Sequence, residues 1–517
     1  MGCSFFCPGF VAFSRTFLVW VTGFVLEMAG EQGYFGVVVV VFLYFCVQFN
    51  LNIETMQKLI DLSVKMIRKY LPDPFVFAII LTIVAALAAI FSTGQTPLEV
   101  VENWGGGVWS LLAFSMQMAL VLVCGSALAD APLVKKGLRK MAAFPKTPAA
   151  AITTVTLVSS IACWINWGFG LIVGAIFAKE IARAVKGVDY RLLIASAYSG
   201  FVVWHSGLSA SIPLAMATEG ASLVEVSRGT ITSAIPISQT IFATYNLIIA
   251  FAIIVALTVV NTIMHPAPDK TFIVDPALLG EEEDLQEREL CGAIGEKECR
   301  IEWKLTPSEK LNNSMLLSGI TALLGLGYLF IKIVLKGGTL DLNNVIMLFM
   351  FLGIVLHKTP IKYVKAVNKA ASSSAGILLQ FPFYAGIMGI MTSASAEGVS
   401  LAGQISEACV AISNEKTFPM LSFLSAGIVN VFVPSGGGQW AVQAPIMLPA
   451  GVQLGVEPAV TGMAIAYGDA WTNLIQPFWA LPALAIAKLN AKDIMGYCLI
   501  DLFVVALIVV LGFMFLV

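Results

Sequence analysis

The sequence predicts an all-α polytopic membrane protein built from two inverted repeats, each of four transmembrane helices plus a re-entrant hairpin, with a connecting helix between them. Three observations carry that expectation. Of 517 residues, 58% are hydrophobic and 12% charged, about half the charged share of a soluble domain, and mean hydropathy is +0.87. The apolar runs are long enough for helical spans of about 20 residues and far exceed the roughly ten-residue alternating segments of a β-barrel. The order of spans and breaks also occurs twice. Net charge is −2, from 30 basic and 32 acidic residues, with no basic stripe for a phosphate backbone, so nucleic acid is excluded as a partner. The nine cysteines are scattered, with no disulfide framework and no metal-ligand spacing.

In chain order, residues 1–55 hold two weak apolar stretches interrupted by Glu27, Glu31 and Gln32. They read as an atypical extension, and the amphipathic basic stretch from Met56 reads as the natural start. Residues 56–264 form the first repeat, with apolar segments near 71–91, 109–131, 148–178, 192–218 and 234–264. An acidic loop at 265–314 and a connecting helix within 315–340 follow. The second repeat, 341–517, holds segments near 341–357, 374–392, 418–452, 458–487 and 493–517.

The segments 148–178 and 418–452 are too long for one straight span and are broken by Asn166-Trp167-Gly168-Phe169-Gly170 and Pro434-Ser435-Gly436-Gly437-Gly438-Gln439. Irregular backbone at membrane depth survives only when buried in protein or lining a cavity, so both read as re-entrant hairpins. Charge tests this, because Lys and Arg accumulate on the cytoplasmic side. With two hairpins and a cytoplasmic start, 25 of the 30 Lys and Arg fall inside. A single crossing at 148–178 would instead expel Lys179, Arg183, Lys186 and Arg191. The resulting order of helix, helix, hairpin, helix, helix appears first from inside and then from outside, the pattern of secondary transporters. An offset of 269 residues superposes Tyr198 on Tyr467, Gly168 on Gly437 and Pro213 on Pro482.

A hairpin tip leaves backbone N–H groups unpaired at the positive end of a helix dipole, which suits a carboxylate. The only basic residue within an apolar segment is Lys332, near one end of the connector. The candidate substrate-binding residues are therefore Asn166, Gly168, Ser435, Gly436, Gly437, Gly438 and Gln439, joined by Asn473 from the polar helix after the second hairpin. That helix also carries Asp469, the candidate coupling-ion residue, since an intramembrane carboxylate faces a cavity, an ion or a proton path. Gly468 and Pro477 mark expected points of unwinding around it. His205, in the corresponding helix of the first repeat, is a weaker candidate for the same role. The opposing reading makes these glycines packing positions and Asp469 a hydrogen-bond hub.

Leu71-Pro-Asp-Pro-Phe75, Ile165-Asn-Trp-Gly-Phe-Gly170, Val433-Pro-Ser-Gly-Gly-Gly-Gln-Trp440, Ala466-Tyr-Gly-Asp-Ala-Trp-Thr-Asn473 and Gln476-Pro-Phe-Trp-Ala-Leu-Pro-Ala-Leu-Ala-Ile-Ala487 together resemble the bacterial short-chain fatty acid transporter family. The resemblance runs from about Met56 to the C-terminus. It implies a multi-pass carrier of the bacterial inner membrane for monocarboxylates such as acetoacetate or butyrate, with an architecture similar to the ion transporter superfamily. Uptake coupled to H⁺ or Na⁺ is the expected function, without a cofactor beyond Na⁺ as a coupling ion and with a homodimer left open. At position 469 the resemblance supports the carboxyl group and not its length. An ion channel or Na⁺/H⁺ antiporter is the alternative. A membrane hydrolase is disfavoured, because Asp469 lacks a facing aspartate and a Ser435/His205 pair lacks an orienting acid.

Overall fold

The computed structural model describes residues 53–274, 306–337, 342–395, 398 and 400–517. The expectation for residues 1–55 lies almost wholly outside them, as does most of the loop 265–314. The described residues contain helices and turns and no strand.

Helix α1 (Ile53–Tyr70) is amphipathic and packs along the last helix of the chain. Asp73 caps α2 (Pro74–Ala88), its carboxylate accepting the Phe75 N–H at 2.9 Å, with Pro74 at the first helical position, where its missing N–H costs nothing. A wide turn, Ala89–Thr93, extends α2, and α3 (Pro97–Gly107) follows behind a Thr96/Glu99 capping box. Helix α4 (Leu112–Asp130) then bends by 81° into the basic amphipathic helix α5 (Pro132–Ala142). Pro132 explains the corner, because the residue before a proline is driven out of the helical region.

The first broken segment is α6 (Pro148–Ile165) and α7 (Trp167–Ala184), separated only by Asn166. Chain reversal is evident at Gly170, where a Cβ would lie 2.3 Å from the backbone nitrogen of Cys163. Each arm has 18 residues, about 27 Å at 1.5 Å per residue, so α7 runs six residues past the expected limit of 178 and includes Lys179 and Arg183. The span expected at 192–218 is α8 (Tyr190–Ser199), a 3₁₀ stretch (Gly200–Ser206) and α9 (Ser211–Met216). After α10 (Ala221–Val226), α11 (Thr244–Ile263) starts ten residues later than the segment 234–264 suggests.

The second half opens with α12 (Pro307–Asn312) and the connector α13 (Met315–Phe330), extended by a wide turn to Leu335. The helices α14 (Leu342–His357), α15 (Pro360–Ala371), α16 (Ala375–Thr392) and α17 (Leu401–Ala411) alternate long apolar and short members, as α2 to α5 do. The second broken segment is α18 (Phe418–Phe432) and α19 (Gly436–Gln453). Gln439 Nε2 donates to the Ala426 carbonyl at 2.7 Å, and Gln443 Nε2 to Ser425 Oγ at 3.1 Å, so these arms also lie side by side. Helices α20 (Pro458–Asn473), α21 (Pro477–Ala487) and α22 (Ala491–Phe515) complete the chain.

Two expectations change. The three glycines form the first turn of α19 rather than an irregular tip, where the cost of glycine in a helix is smallest. Gly468 is not a point of unwinding: α20 is continuous through it, and a Cβ there would lie 2.3 Å from the Phe423 carbonyl oxygen, so this glycine lets α18 and α20 touch. The break comes after Asn473, ahead of Pro477.

Helices α7 and α19 begin at Trp167 and Gly436, the same 269-residue offset that separates Tyr198 from Tyr467. In both halves the first hairpin arm packs on the polar helix that follows the hairpin, and the two polar helices pack on each other. The basic clusters gather at one end. Arg68 meets Asp493 at 3.5 Å, Arg139 meets Glu180 at 3.4 Å, and Lys270 meets Asp61 at 3.0 Å. Arg191 lies over the Phe272 ring at 4.3 Å, and Lys179 is within electrostatic reach of Lys369 and Lys488.

Candidate functional site

Both hairpin tips end on capped helix N-termini. Asn166 Oδ1 accepts the Phe169 N–H at 3.0 Å, and Ser435 Oγ accepts the Gly438 N–H at 3.3 Å. At the first tip the Trp167 N–H is already engaged by Ser209 Oγ at 2.9 Å, and Gly168 is buried. The second tip differs. A Cβ on Gly436 would meet His205 Cε1 at 2.8 Å, and one on Gly438 would meet Met388 Sδ at 3.0 Å, while Gly437 is exposed and has nothing within 4 Å. The first N–H groups of a helix have no acceptor within it, so α19 presents donors at an open glycine.

Behind that tip lies a buried polar pair. His205 Nε2 accepts the Ile212 N–H at 3.1 Å, so the proton of a neutral imidazole sits on Nδ1, which faces Asp469 Oδ1 at 3.3 Å. Distance suits an ion pair, but alignment is too poor for a hydrogen bond, and Asp469 Oδ2 has no partner. The imidazole stacks on Trp204 with centroids 3.9 Å apart. Trp167, Phe201 and Trp479 continue this wall at 5.2 to 6.4 Å spacings, so the first hairpin tip packs on aromatic groups from both halves.

Asn430 on α18 joins the elements. Its Nδ2 approaches the Asp469 carbonyl at 2.7 Å, Thr472 Oγ1 at 2.9 Å and Asn473 Oδ1 at 2.9 Å. Asn473 Nδ2 reaches Asp469 Oδ1 at 3.5 Å, and Gln476 Nε2 donates to the Asn430 carbonyl. The structure therefore brings together His205, Asp469, Asn473 and Gly436, and the acid that the sequence did not offer to a Ser435/His205 pair is Asp469, although His205 Nε2 is occupied by the Ile212 N–H. Gln439 lies with Gln443 between the hairpin arms, and Asn166 and Gly168 belong to the other tip, beside Trp479. Asn430 was missed, although an Asn three residues ahead of the Val433-Pro-Ser motif carried the signal that an amide in an apolar segment always carries.

The profile of the short chain fatty acid transporter family matches residues 55–516. The chain belongs to that family. Two bacterial proteins named for short-chain fatty acid transport are among its relatives. One, from Escherichia coli K12, is 44% identical over 87% of this chain and 97% of its own length. The other, from Haemophilus influenzae Rd, is 42% identical over the same shares. Among solved structures, the Alcanivorax borkumensis YdaH transporter is similar at 16% identity with a TM-score of 0.41, over 86% of this chain and 97% of that one. The family assignment gives the polar core of this transporter a membrane setting, in keeping with six described helices long and apolar enough to span a bilayer and one further bent pair.

Proposed function

We propose that the protein takes up short-chain monocarboxylate anions, of the acetoacetate and butyrate kind, across the bacterial inner membrane as a secondary carrier driven by H⁺ or Na⁺. The observation that carries this reading is the α19 N-terminus, where free backbone N–H groups and an open Gly437 form an anion-attracting surface without a buried cation. The substrate carboxylate lies against Ser435 and the Gly436 to Gly438 backbone, and the small acyl chain meets the neighbouring apolar wall. Gly436 touches His205, and His205 faces Asp469, so the anion and the ionisable pair are separated by one side chain. Asp469 links ion movement to substrate movement. The two halves act as inverted repeats, with the basic end of the molecule in the cytoplasm.

The test is uptake of labelled acetoacetate, butyrate and propionate into proteoliposomes with pH and sodium gradients imposed separately. Accumulation under one gradient, together with counterflow of labelled substrate, is the expected result. Flux without counterflow would mean a channel, and absence of flux for all three acids would remove the substrate class.

A further inference from the structure

A second carboxyl group lies inside the membrane-spanning bundle, and neither hairpin uses it. Asp501, near the middle of α22, is 0% exposed, and neither of its oxygens has a hydrogen-bond partner. No basic side chain pairs with it among the described residues. Its neighbouring polar group is the hydroxyl of Ser199, the last residue of α8. Ser199 donates its proton to the Ser196 carbonyl at 3.2 Å and accepts the Asn261 amide at 2.9 Å. That amide also approaches Thr156 Oγ1 at 3.4 Å, whose proton goes to the Ile152 carbonyl at 2.9 Å. As placed, the Ser199 and Thr156 protons go to backbone carbonyls and the Asn261 amide goes to Ser199, so Ser199 meets Asp501 with its oxygen. An ionised carboxylate buried without donors or a counter-ion is untenable. A carboxylic acid supplies the missing donor itself, and Ser199 Oγ has one lone pair left to take it.

No charged group on the surrounding elements pairs with Asp501 among the described residues. On α22 itself Cys498 is within electrostatic reach. On α8, Tyr198 and Tyr190 donate to the carbonyls of Asn473 and Ala487, and Arg191 lies over Phe272. On α20, Asp469 faces His205, and Tyr467 bonds Asn246. On α11, Tyr245 turns to the Gln239 carbonyl. On α1, which also carries Lys58, Lys65 and Lys69, Asp61 and Arg68 meet Lys270 and Asp493 at the basic end. Helices α18 and α21 contribute no titratable side chain.

We propose that Asp501 is a proton-binding site distinct from Asp469: a carboxylic acid whose O–H is held by Ser199 Oγ and whose proton is released during transport. Release breaks the O–H bond, leaves the electron pair on the Asp501 oxygen and passes the proton to water admitted to the bundle. Ser199 stands where α8 gives way to the 3₁₀ stretch ending beside His205, so a charge appearing on Asp501 acts on the segment that faces Asp469. The transport part of this inference rests on the carrier reading, whereas the charge state of Asp501 does not.

Infrared difference spectra of the full chain in lipid vesicles test it directly. The C=O stretch of a non-ionised carboxylic acid is expected in wild type, insensitive to sodium, shifted by deuterium exchange, absent from Asp501→Asn and restored in Asp501→Glu. Persistence of every such band in Asp501→Asn, or conversion of the wild-type Asp501 band to ionised-carboxylate bands on adding sodium, would overturn the proposal. The second measurement is the number of protons entering per labelled monocarboxylate, a ratio independent of overall rate. It should fall in Asp501→Asn and recover in Asp501→Glu, and an unchanged ratio would overturn the release step. If wild type moves no monocarboxylate, the carrier reading fails while the infrared result still decides on Asp501.

Discussion

Gly436 and Gly437 are neighbours under different constraints. A side chain at 436 must displace the ring of His205, whereas one at 437 enters open space. Gly436→Val should therefore lower stability by about 1–3 kcal/mol, the usual cost of overpacking, and disturb the His205–Asp469 pair. Gly437→Val should leave thermal unfolding within about 0.5 kcal/mol of wild type and still abolish substrate binding, because it screens the α19 N–H groups. Melting in detergent and calorimetric titration with butyrate separate the two, and unchanged affinity in Gly437→Val would remove the tip as the carboxylate site. For Asp469, the expected outcome is that Asp469→Asn loses accumulation against a gradient while labelled exchange persists, since exchange needs no net ion transfer. Asp469→Glu should retain part of the coupling. An Asn variant that concentrates substrate to the wild-type level would make Asp469 a hydrogen-bond hub, and the Asn473 amide beside its carboxylate shows what such a hub would hold.

Among the helices, the first hairpin makes the most direct topological prediction. A cysteine at Gly187 and one at Lys140 should react with a membrane-impermeant label from the same face, because α6 and α7 return the chain to where it started. A second prediction concerns the join between α8 and α11. Burial holds the His265 imidazole below its ordinary range, against the opposing pull of Asp189; its Nε2 accepts the Asp189 N–H at 3.1 Å. A depressed value means that the unfolded chain takes up the proton first as pH falls. The contribution is thus present above the ordinary histidine value, about 6.5, and is lost as pH drops through the folded one. Melting temperature should decline over that interval in wild type and decline less in His265→Gln. Much of this level was legible in the sequence: the hairpins, their polar tips and the polar helices behind them all declared themselves as breaks in long apolar runs. The short helices α3, α15 and α17 did not, because they lie between the spans, where no long apolar run marks them. The unwinding assigned to Gly468 was misplaced for a related reason. A glycine chosen for contact with Phe423 looks in sequence like a glycine chosen for a turn.

Across the whole molecule, the pair Tyr198 and Tyr467 shows how the halves are joined. Tyr198 donates to the Asn473 carbonyl, and Tyr467 donates to Asn246 Oδ1 at 2.7 Å, so each half sends one hydroxyl into the other. The carbonyl of Asn473 keeps a second bond, from the Gln476 N–H at 3.1 Å. Tyr198→Phe should then cost about 0.5–1.5 kcal/mol of stability, whereas Tyr467→Phe, which strips Asn246 Oδ1 of its buried donor, should cost about 1–3 kcal/mol. Thermal unfolding of both variants checks the order, and a larger loss in Tyr198→Phe would contradict it. His205 and Asp469 could be named from sequence, but their pairing could not, since it depends on two polar helices some 260 residues apart packing face to face.

That distance along the chain also sets a delay during synthesis. At about 5–20 residues per second, His205, Tyr198 and Asn246 leave the ribosome roughly ten to fifty seconds before Asp469, Asn473 and Tyr467. For that interval the newly made first half holds its share of the polar core in the bilayer without its counterpart. Nascent chains halted after α11 should accordingly be cut by protease at sites that the finished protein shields, and become resistant once α20 has been made.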